Sequence, residues 1–274
     1  MFRTRLISGI VLVIILLVFG IIGGNLLLAG LAAVSLVGLY ELYRVFHLEK
    51  SRLGYVGYGA ALLYYAYLAL ADLKLTDREP GTDIFLFTML FLIVLMAVYV
   101  FSFPKHKAGE VMTVFFGVFY VAVMLSCIYL TRELSNGLYL VWLIFLCSWG
   151  CDTCAYCVGM LIGKHKMAPV LSPKKSVEGA VGGVLGAALL TVIYGFVFKD
   201  AMGSSNAHVF VLAAISAVGA LISMVGDLAA SAIKRNYEIK DYGKLIPGHG
   251  GILDRFDSVI FVAPVIYFLA LYLI

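Results

Sequence analysis

Thirty-five consecutive residues, Leu6 to Tyr40, carry no Asp, Glu, Lys or Arg. A helix needs about 20 mostly apolar residues to cross the hydrocarbon of a bilayer, so this run is too long for one crossing. Gly20, Gly23, Gly24 and Asn25 interrupt it, which predicts two helices over about 6–22 and 25–43. Comparable runs follow at about 53–71, 84–103, 111–131, 137–162, 179–198, 208–227 and 258–274. The expectation is an all-α polytopic membrane protein with about nine transmembrane helices. Composition agrees: 63% of the 274 residues are hydrophobic and 13% charged, against about 45–50% apolar and roughly 25% charged in soluble domains. That excludes an ordinary soluble domain, a disordered chain and a secreted disulfide scaffold.

The opening Met-Phe-Arg-Thr-Arg before an apolar run has the look of a signal peptide. No Ala-x-Ala-like site follows it and further spans do, so a retained signal anchor is expected.

The few charges are unevenly placed. With the amino terminus set in the cytoplasm, the cytoplasmic segments hold Arg3, Arg5; Arg44, Lys50, Arg52; Lys105, Lys107; Lys164, Lys166, Lys174, Lys175; and Lys234, Arg235, Lys240, Lys244, Arg255. Only Lys74, Arg78, Arg132 and Lys199 fall on the other side. Sixteen of 20 basic residues on one side predict a multi-pass protein of the cell membrane, amino terminus inside and carboxyl terminus outside. Two cytoplasmic segments, 163–178 and 228–257, are long and polar enough to carry chemistry.

Cys147, Cys151, Cys154 and Cys157 form a C-x3-C-x2-C-x2-C run that, by spacing alone, suggests zinc or iron–sulfur ligation. The run lies inside a predicted transmembrane helix, where such spacing makes one stripe. A continuous helix cannot wrap four thiolates around an ion, so these residues are expected to pack a helix–helix seam.

Ionisable groups at membrane depth are expensive and point to function. Asp152 falls within the 137–162 helix, and Asp227 is expected at the end of the 208–227 helix. Downstream of Asp227, Lys234, Arg235, Lys240, Lys244 and Arg255 mingle with Asp241, Asp254 and Asp257 around Gly243, Pro247, Gly248, Gly250 and Gly251. Glycines let backbone N–H groups approach an anion, basic side chains neutralise phosphate, and carboxylates hold Mg²⁺ against phosphate oxygens. This mixture suits a Mg-polyphosphate better than a nucleic acid, and no nucleic-acid partner is expected. In the other segment, Ser176 is placed to cap the following helix, preceded by Lys174 and Lys175, a natural phosphate site.

The stretch Ser231-x-Ile-Lys-Arg-x4-Lys-Asp-x-Gly-x2-Ile-Pro-x-His-Gly-Gly-Ile-x-Asp-Arg-Phe-Asp257 resembles the signature of the phosphatidate cytidylyltransferases (CDP-diacylglycerol synthases). Upstream, Asp152-Thr-x-Ala-Tyr156, Gly163-Lys164, Ser172-Pro-Lys-Lys-Ser176 with Glu178-Gly179, and Gly226-Asp227 are similar to the same family, with Cys154 one departure. The resemblance covers about residues 140–265 by motif. It divides the chain into amino-terminal helices over 1–135 (about five) and a catalytic membrane region over 136–274. It implies transfer of CMP from CTP to phosphatidate, Mg²⁺ with a second cation such as K⁺, a cytoplasmic site and a homodimer. It further implies that Asp227 and Asp254 hold the divalent ion; Asp257 and Asp152 are candidates to complete that site. Lys234, Arg235, Lys240 and Arg255 are assigned to phosphates, and Lys174 and Lys175 to CTP or the lipid phosphate. Ser172, Ser176, His249, Gly250 and Gly251 complete the expected substrate-binding set. A transporter would scatter charge at mid-membrane and show two related halves, and the chain has no Asp-Gly to open a CDP-alcohol phosphotransferase signature.

Overall fold

The structure, a computed structural model, describes residues 2–72 and 80–273, with side chains from 7 to 71 and from 84 to 273. Lys74 and Arg78 lie outside the described residues, as do the side chains of Arg3 and Arg5. Among the described residues the chain forms nine helices and one small hairpin. The helices are α1 (Phe2–Ile22), α2 (Gly24–Val45), α3 (Arg52–Asp72) and α4 (Pro80–Phe101), then α5 (Ala108–Glu133), α6 (Gly137–Ile162), α7 (Val177–Phe198), α8 (Asn206–Asn236) and α9 (Leu253–Leu273). Eight of them, α2 to α9, contain a stretch long and apolar enough to cross a membrane; α1 contributes the shorter described stretch Ile7–Ile22. The chain is an all-α polytopic membrane protein.

The break between α1 and α2 falls where the sequence places it. Gly23 has φ 67°, a left-handed backbone that glycine adopts without penalty. Arg132, at the end of α5, donates from Nε to Gly20 O (3.0 Å) and from Nη2 to Ile21 O (3.1 Å). Those are carbonyls left without helical partners at the end of α1. The carboxyl ends of α1 and α5 therefore share one end of the bundle, as the expected alternation requires.

Two boundaries differ from the hydropathy reading. Apolar residues stop near Asp227, but α8 continues to Asn236, because Leu-Ala-Ala-Ser-Ala-Ile are compatible with helix and Lys234 and Arg235 favour a helix carboxyl terminus. Asp227 thus sits about two and a half turns inside a helix and not at its end. Likewise α9 begins at Leu253, so Asp254 and Asp257 project from its first turns and not from a loop. Segment 163–178 also forms structure of its own, an antiparallel hairpin of β1 (Lys166–Ala168) and β2 (Ser172–Ser176).

Helices α6 to α9 pack against one another in succession, and α9 returns against α5. Between apolar helices in lipid, close approach of backbones and van der Waals contact replace the hydrophobic drive. Cys147, Cys151 and Cys154 form one such seam, whereas Cys157, expected in the same stripe, is exposed because it falls on the side of α6 turned away from α7 and α8. A Cβ on Gly219 would stand 2.9 Å from Cys147 Sγ, on Gly183 2.9 Å from Cys151 Sγ, and on Gly186 2.5 Å from Cys154 Sγ. All five cysteines are free thiols, and Cys147 also donates to Ser216 Oγ at 3.3 Å. A π-helical turn at Leu146–Gly150 interrupts α6 just before Asp152, and such turns are frequent at functional sites.

Candidate active site

Helix α8, the loop 237–252 and the first turn of α9 build one end of the site; α6 and β2 build the other. The loop closes because Ile246 and Gly250 pair across a tight turn (Ile246 N to Gly250 O, 2.9 Å), with Gly248 and Gly250 at φ 79° and 89°. A Cβ on Gly250 would stand 2.9 Å from Asp254 Oδ2. Glycine there serves both the turn and the approach of the carboxylate.

Asp254 is the centre of this corner. Its Oδ1 accepts from Lys234 Nζ at 2.9 Å, and its Oδ2 accepts from the N–H groups of Tyr242 (2.8 Å) and Gly251 (2.9 Å). The carboxylate is 3% exposed and the ammonium 11%, so the pair is desolvated and needs every one of these bonds. Tyr242 packs beside the pair: its hydroxyl donates to Ala230 O at 3.1 Å, and Lys234 Nζ lies 5.4 Å from its ring centroid. Burial pushes the Tyr242 phenol above its ordinary pKa, so it remains a neutral donor.

Asp227 is ion-paired with Lys175 of β2 through Oδ2. Asp152 of α6 interacts electrostatically with Lys175, Asp227 and Arg255, and Asp257 with Asp227, Lys234 and Asp152. Three carboxylates from three helices therefore lie within electrostatic range of one another. Asp257 Oδ1 also accepts from Ser258 N at 2.8 Å. Ser176 does cap α7, its Oγ accepting from Gly179 N at 3.1 Å, and this cap fixes Lys175, the preceding residue.

An all-carboxylate donor set suits a hard divalent ion, and Asp254 Oδ1 keeps a second lone pair beside Lys234. Among the described residues no three His, Cys, Asp or Glu side chains already gather as a metal site. The fit is thus one of donor chemistry and not of a ready-made cage.

Beside this corner opens a cleft of about 630 Å³ lined by Lys240, Asp241, Gly243, Lys244, Ile246, Gly248, His249, Gly250 and Arg255. Of the expected substrate-binding residues, Lys240, His249, Gly250 and Arg255 line it, and Gly251 is buried beneath it against Asp254. Arg255 Nε is buried without a hydrogen-bond partner, while its carbonyl accepts from Trp149 Nε1 at 3.2 Å. His249 faces α1, its Nδ1 2.8 Å from Ser8 Oγ, which also donates to Pro247 O at 3.1 Å. Arg235 stands exposed on the last turn of α8 and Lys174 on the outer side of β2, with Ser172 half-buried; none of the three lines the cleft.

The sequence reading missed Glu41 and Arg44 of α2. Glu41 is 3% exposed and accepts from Ile252 N (3.1 Å) and Leu253 N (2.9 Å). Arg44 Nη2 donates to Tyr242 O at 2.5 Å. A carboxylate inside an expected spanning helix is the signal that singled out Asp152, and it applied equally to Glu41 within 25–43.

Comparison with known proteins places this arrangement. A model of the cytidylyltransferase family matches residues 3–273. Among similar proteins, the phosphatidate cytidylyltransferase of Bacillus subtilis (strain 168) is 31% identical over 271 residues, 97% of each chain. Proteins of the same name from Staphylococcus saprophyticus and Staphylococcus haemolyticus are 42% and 40% identical over 147 residues. Those two matches span 54% of this chain and 54% of each staphylococcal protein, about half their length. With the family model running over nearly every residue and the Bacillus protein aligned from end to end, the chain belongs to the cytidylyltransferase family.

Proposed function

We propose that this protein transfers CMP from CTP to phosphatidate, forming CDP-diacylglycerol and pyrophosphate at the cytoplasmic face of the membrane. The observation that carries this reading is the meeting, at one end of the bundle, of a basic glycine-lined cleft with carboxylates from α6, α8 and α9. The name of the relatives, phosphatidate cytidylyltransferase, supports the same substrates.

In this reading a phosphate oxygen of phosphatidate attacks the α-phosphorus of CTP in line. The new P–O bond forms as the bond to the bridging α–β oxygen breaks, and its electron pair leaves with pyrophosphate. The nucleophile is already an anion, so no side chain need remove a proton. Catalysis then rests on positioning and charge neutralisation. Lys240, Lys244 and Arg255 hold the phosphates in the cleft, with Arg255 Nε a buried donor available to one of them. Lys175 neutralises Asp227 before substrate arrives and is placed to turn to a substrate phosphate afterwards. Asp227, with Asp254 Oδ1, Asp152 and Asp257, would hold a magnesium ion, which would supply positive charge to the triphosphate; a second cation belongs to the same reading. Lys234 keeps Asp254 in place, and His249 donates to a phosphate from the loop.

An apolar cleft of about 420 Å³, lined by Ile7, Ser8, Val11, Leu12, Leu245, Ile246 and Pro247, shares Ile246 with the polar one. An acyl chain lying there would leave the lipid phosphate beside Lys240 and Arg255. This places α1, and not only the carboxyl-terminal helices, against the lipid. The protein acts as a homodimer of the cell membrane in this reading.

The test is direct. Purified protein given labelled CTP, phosphatidate and Mg²⁺ should release pyrophosphate and form CDP-diacylglycerol. Absence of product, or product undiminished in Asp227→Asn, would overturn the reading.

A further inference from the structure

Glu41 lies 211 residues from the loop it touches. The loop 243–251 is anchored at both ends by carboxylates. Asp254 takes the N–H groups of Tyr242 and Gly251, and Glu41 takes those of Ile252 and Leu253. Four anchor points, one at residue 242 and three at residues 251 to 253, are thereby shared between one acid from the last helix and one from α2. Ile252 and Leu253 stand at the start of α9, where N–H groups lack helical acceptors and a negative charge is favoured. Glu41 therefore caps the helix that carries Asp254, Arg255 and Asp257.

The glycines show that the fit is tight. A Cβ on Gly243 would stand 2.0 Å from Glu41 Oε1, and one on Gly251 2.4 Å from the same atom. A side chain at either position would force the Glu41 carboxylate or the facing backbone to shift. One turn further along α2, Arg44 holds the carbonyl of Tyr242 while Asp254 holds its N–H. The cytoplasmic end of α2 is thus a template for both ends of the loop.

We propose that Glu41 is a positioning residue for the nucleotidyl-transfer site: it fixes the first turn of α9 and the glycine loop so that Asp254 and Arg255 meet the triphosphate in register. This rests on the function proposed above. Glu41 touches no substrate in this role and acts through Asp254. Gln keeps the shape of Glu41 but presents an NH₂ to one of two N–H donors, so it cannot hold both. Asp keeps the charge on a shorter arm.

The experiment compares wild type, Glu41→Gln and Glu41→Asp in detergent with CTP, phosphatidate and Mg²⁺, alongside backbone amide exchange of peptides covering 249–255. In Glu41→Gln, kcat should fall about 10–100-fold, the usual effect of removing a supporting hydrogen-bond partner. KM for phosphatidate should stay unchanged, and amide exchange in 249–255 should accelerate. Glu41→Asp should recover part of kcat. Wild-type kcat in Glu41→Gln, or loss that appears only as raised KM for both substrates, would overturn the proposal. Should the variants fail to fold, wild-type exchange decides: amides of Ile252 and Leu253 that exchange at once contradict the two bonds. A wild type that forms no CDP-diacylglycerol defeats the proposed reaction, while the exchange arm still tests Glu41.

Discussion

Lys234 and Asp254 are joined by a 2.9 Å bond in a corner almost closed to solvent, and the other oxygen of Asp254 is occupied by two backbone N–H groups. A side chain from the end of α8 thus determines how the first turn of α9 presents its carboxylate. Removing one partner of such a pair leaves an uncompensated buried charge, which costs about 3–5 kcal/mol. Lys234→Met should therefore lower the melting temperature in detergent sharply. The double variant Lys234→Met, Asp254→Asn should regain part of that stability without regaining CMP transfer.

Asp227 has a different dependence. It is about a quarter exposed and paired with Lys175, so Asp227→Asn should leave the melting temperature near wild type. Loss of a charge that organises phosphate should lower turnover by about 100-fold or more. Chelation of divalent ions should abolish turnover in wild type, and added Mg²⁺ should restore it.

The cysteine–glycine seam makes a packing prediction with an internal control. Gly186→Ala would drive a methyl group into Cys154 Sγ at 2.5 Å, whereas a Cβ on Gly59 meets nothing within 4 Å. Gly186→Ala should destabilise by about 1–3 kcal/mol. Gly59→Ala, inside α3, should be neutral or stabilising by up to about 1 kcal/mol. Thermal unfolding of the two variants side by side measures the difference.

Ser176→Ala removes the cap of α7 and should destabilise by about 0.5–2 kcal/mol. Because the cap also fixes Lys175, turnover should fall by more than the fraction of protein unfolded. Activity normalised to folded protein separates the two effects.

Orientation has its own check. Lys244 lies in the glycine loop and Lys199 at the far end of α7. With the five native cysteines replaced, Lys244→Cys should react with an impermeant maleimide only in inside-out vesicles, and Lys199→Cys only in right-side-out vesicles. The reverse pattern would place the site outside the cell.

Much of the fold was legible because spanning helices are a local property. Twenty apolar residues form a helix in lipid whatever their neighbours do, so the helix positions, the break at Gly23 and the stripe of Cys147, Cys151 and Cys154 follow from the chain alone. The cap at Ser176 and the clustering of Lys240, Arg255 and the glycines are local too. Hydropathy misled where it stood in for conformation: charge begins at Asp227, but the helix does not end there. Lys234 and Lys175 pair with Asp254 and Asp227, whereas Arg235 and Lys174, their sequence neighbours, stand exposed, because consecutive residues point to different sides of a helix or strand.

By itself, then, the sequence determined a polytopic helical membrane protein and pointed to two polar segments as the place of its candidate phosphate-binding residues. Only the tertiary structure decided that Lys175 pairs with Asp227, that α1 lies against the loop at His249, and that Glu41 of α2 closes the start of α9. Spans are set by transfer of each segment into lipid. Partners more than 200 residues apart are set by how closely α2 approaches the loop at Gly243 and Gly251, and no local pattern in the chain records that.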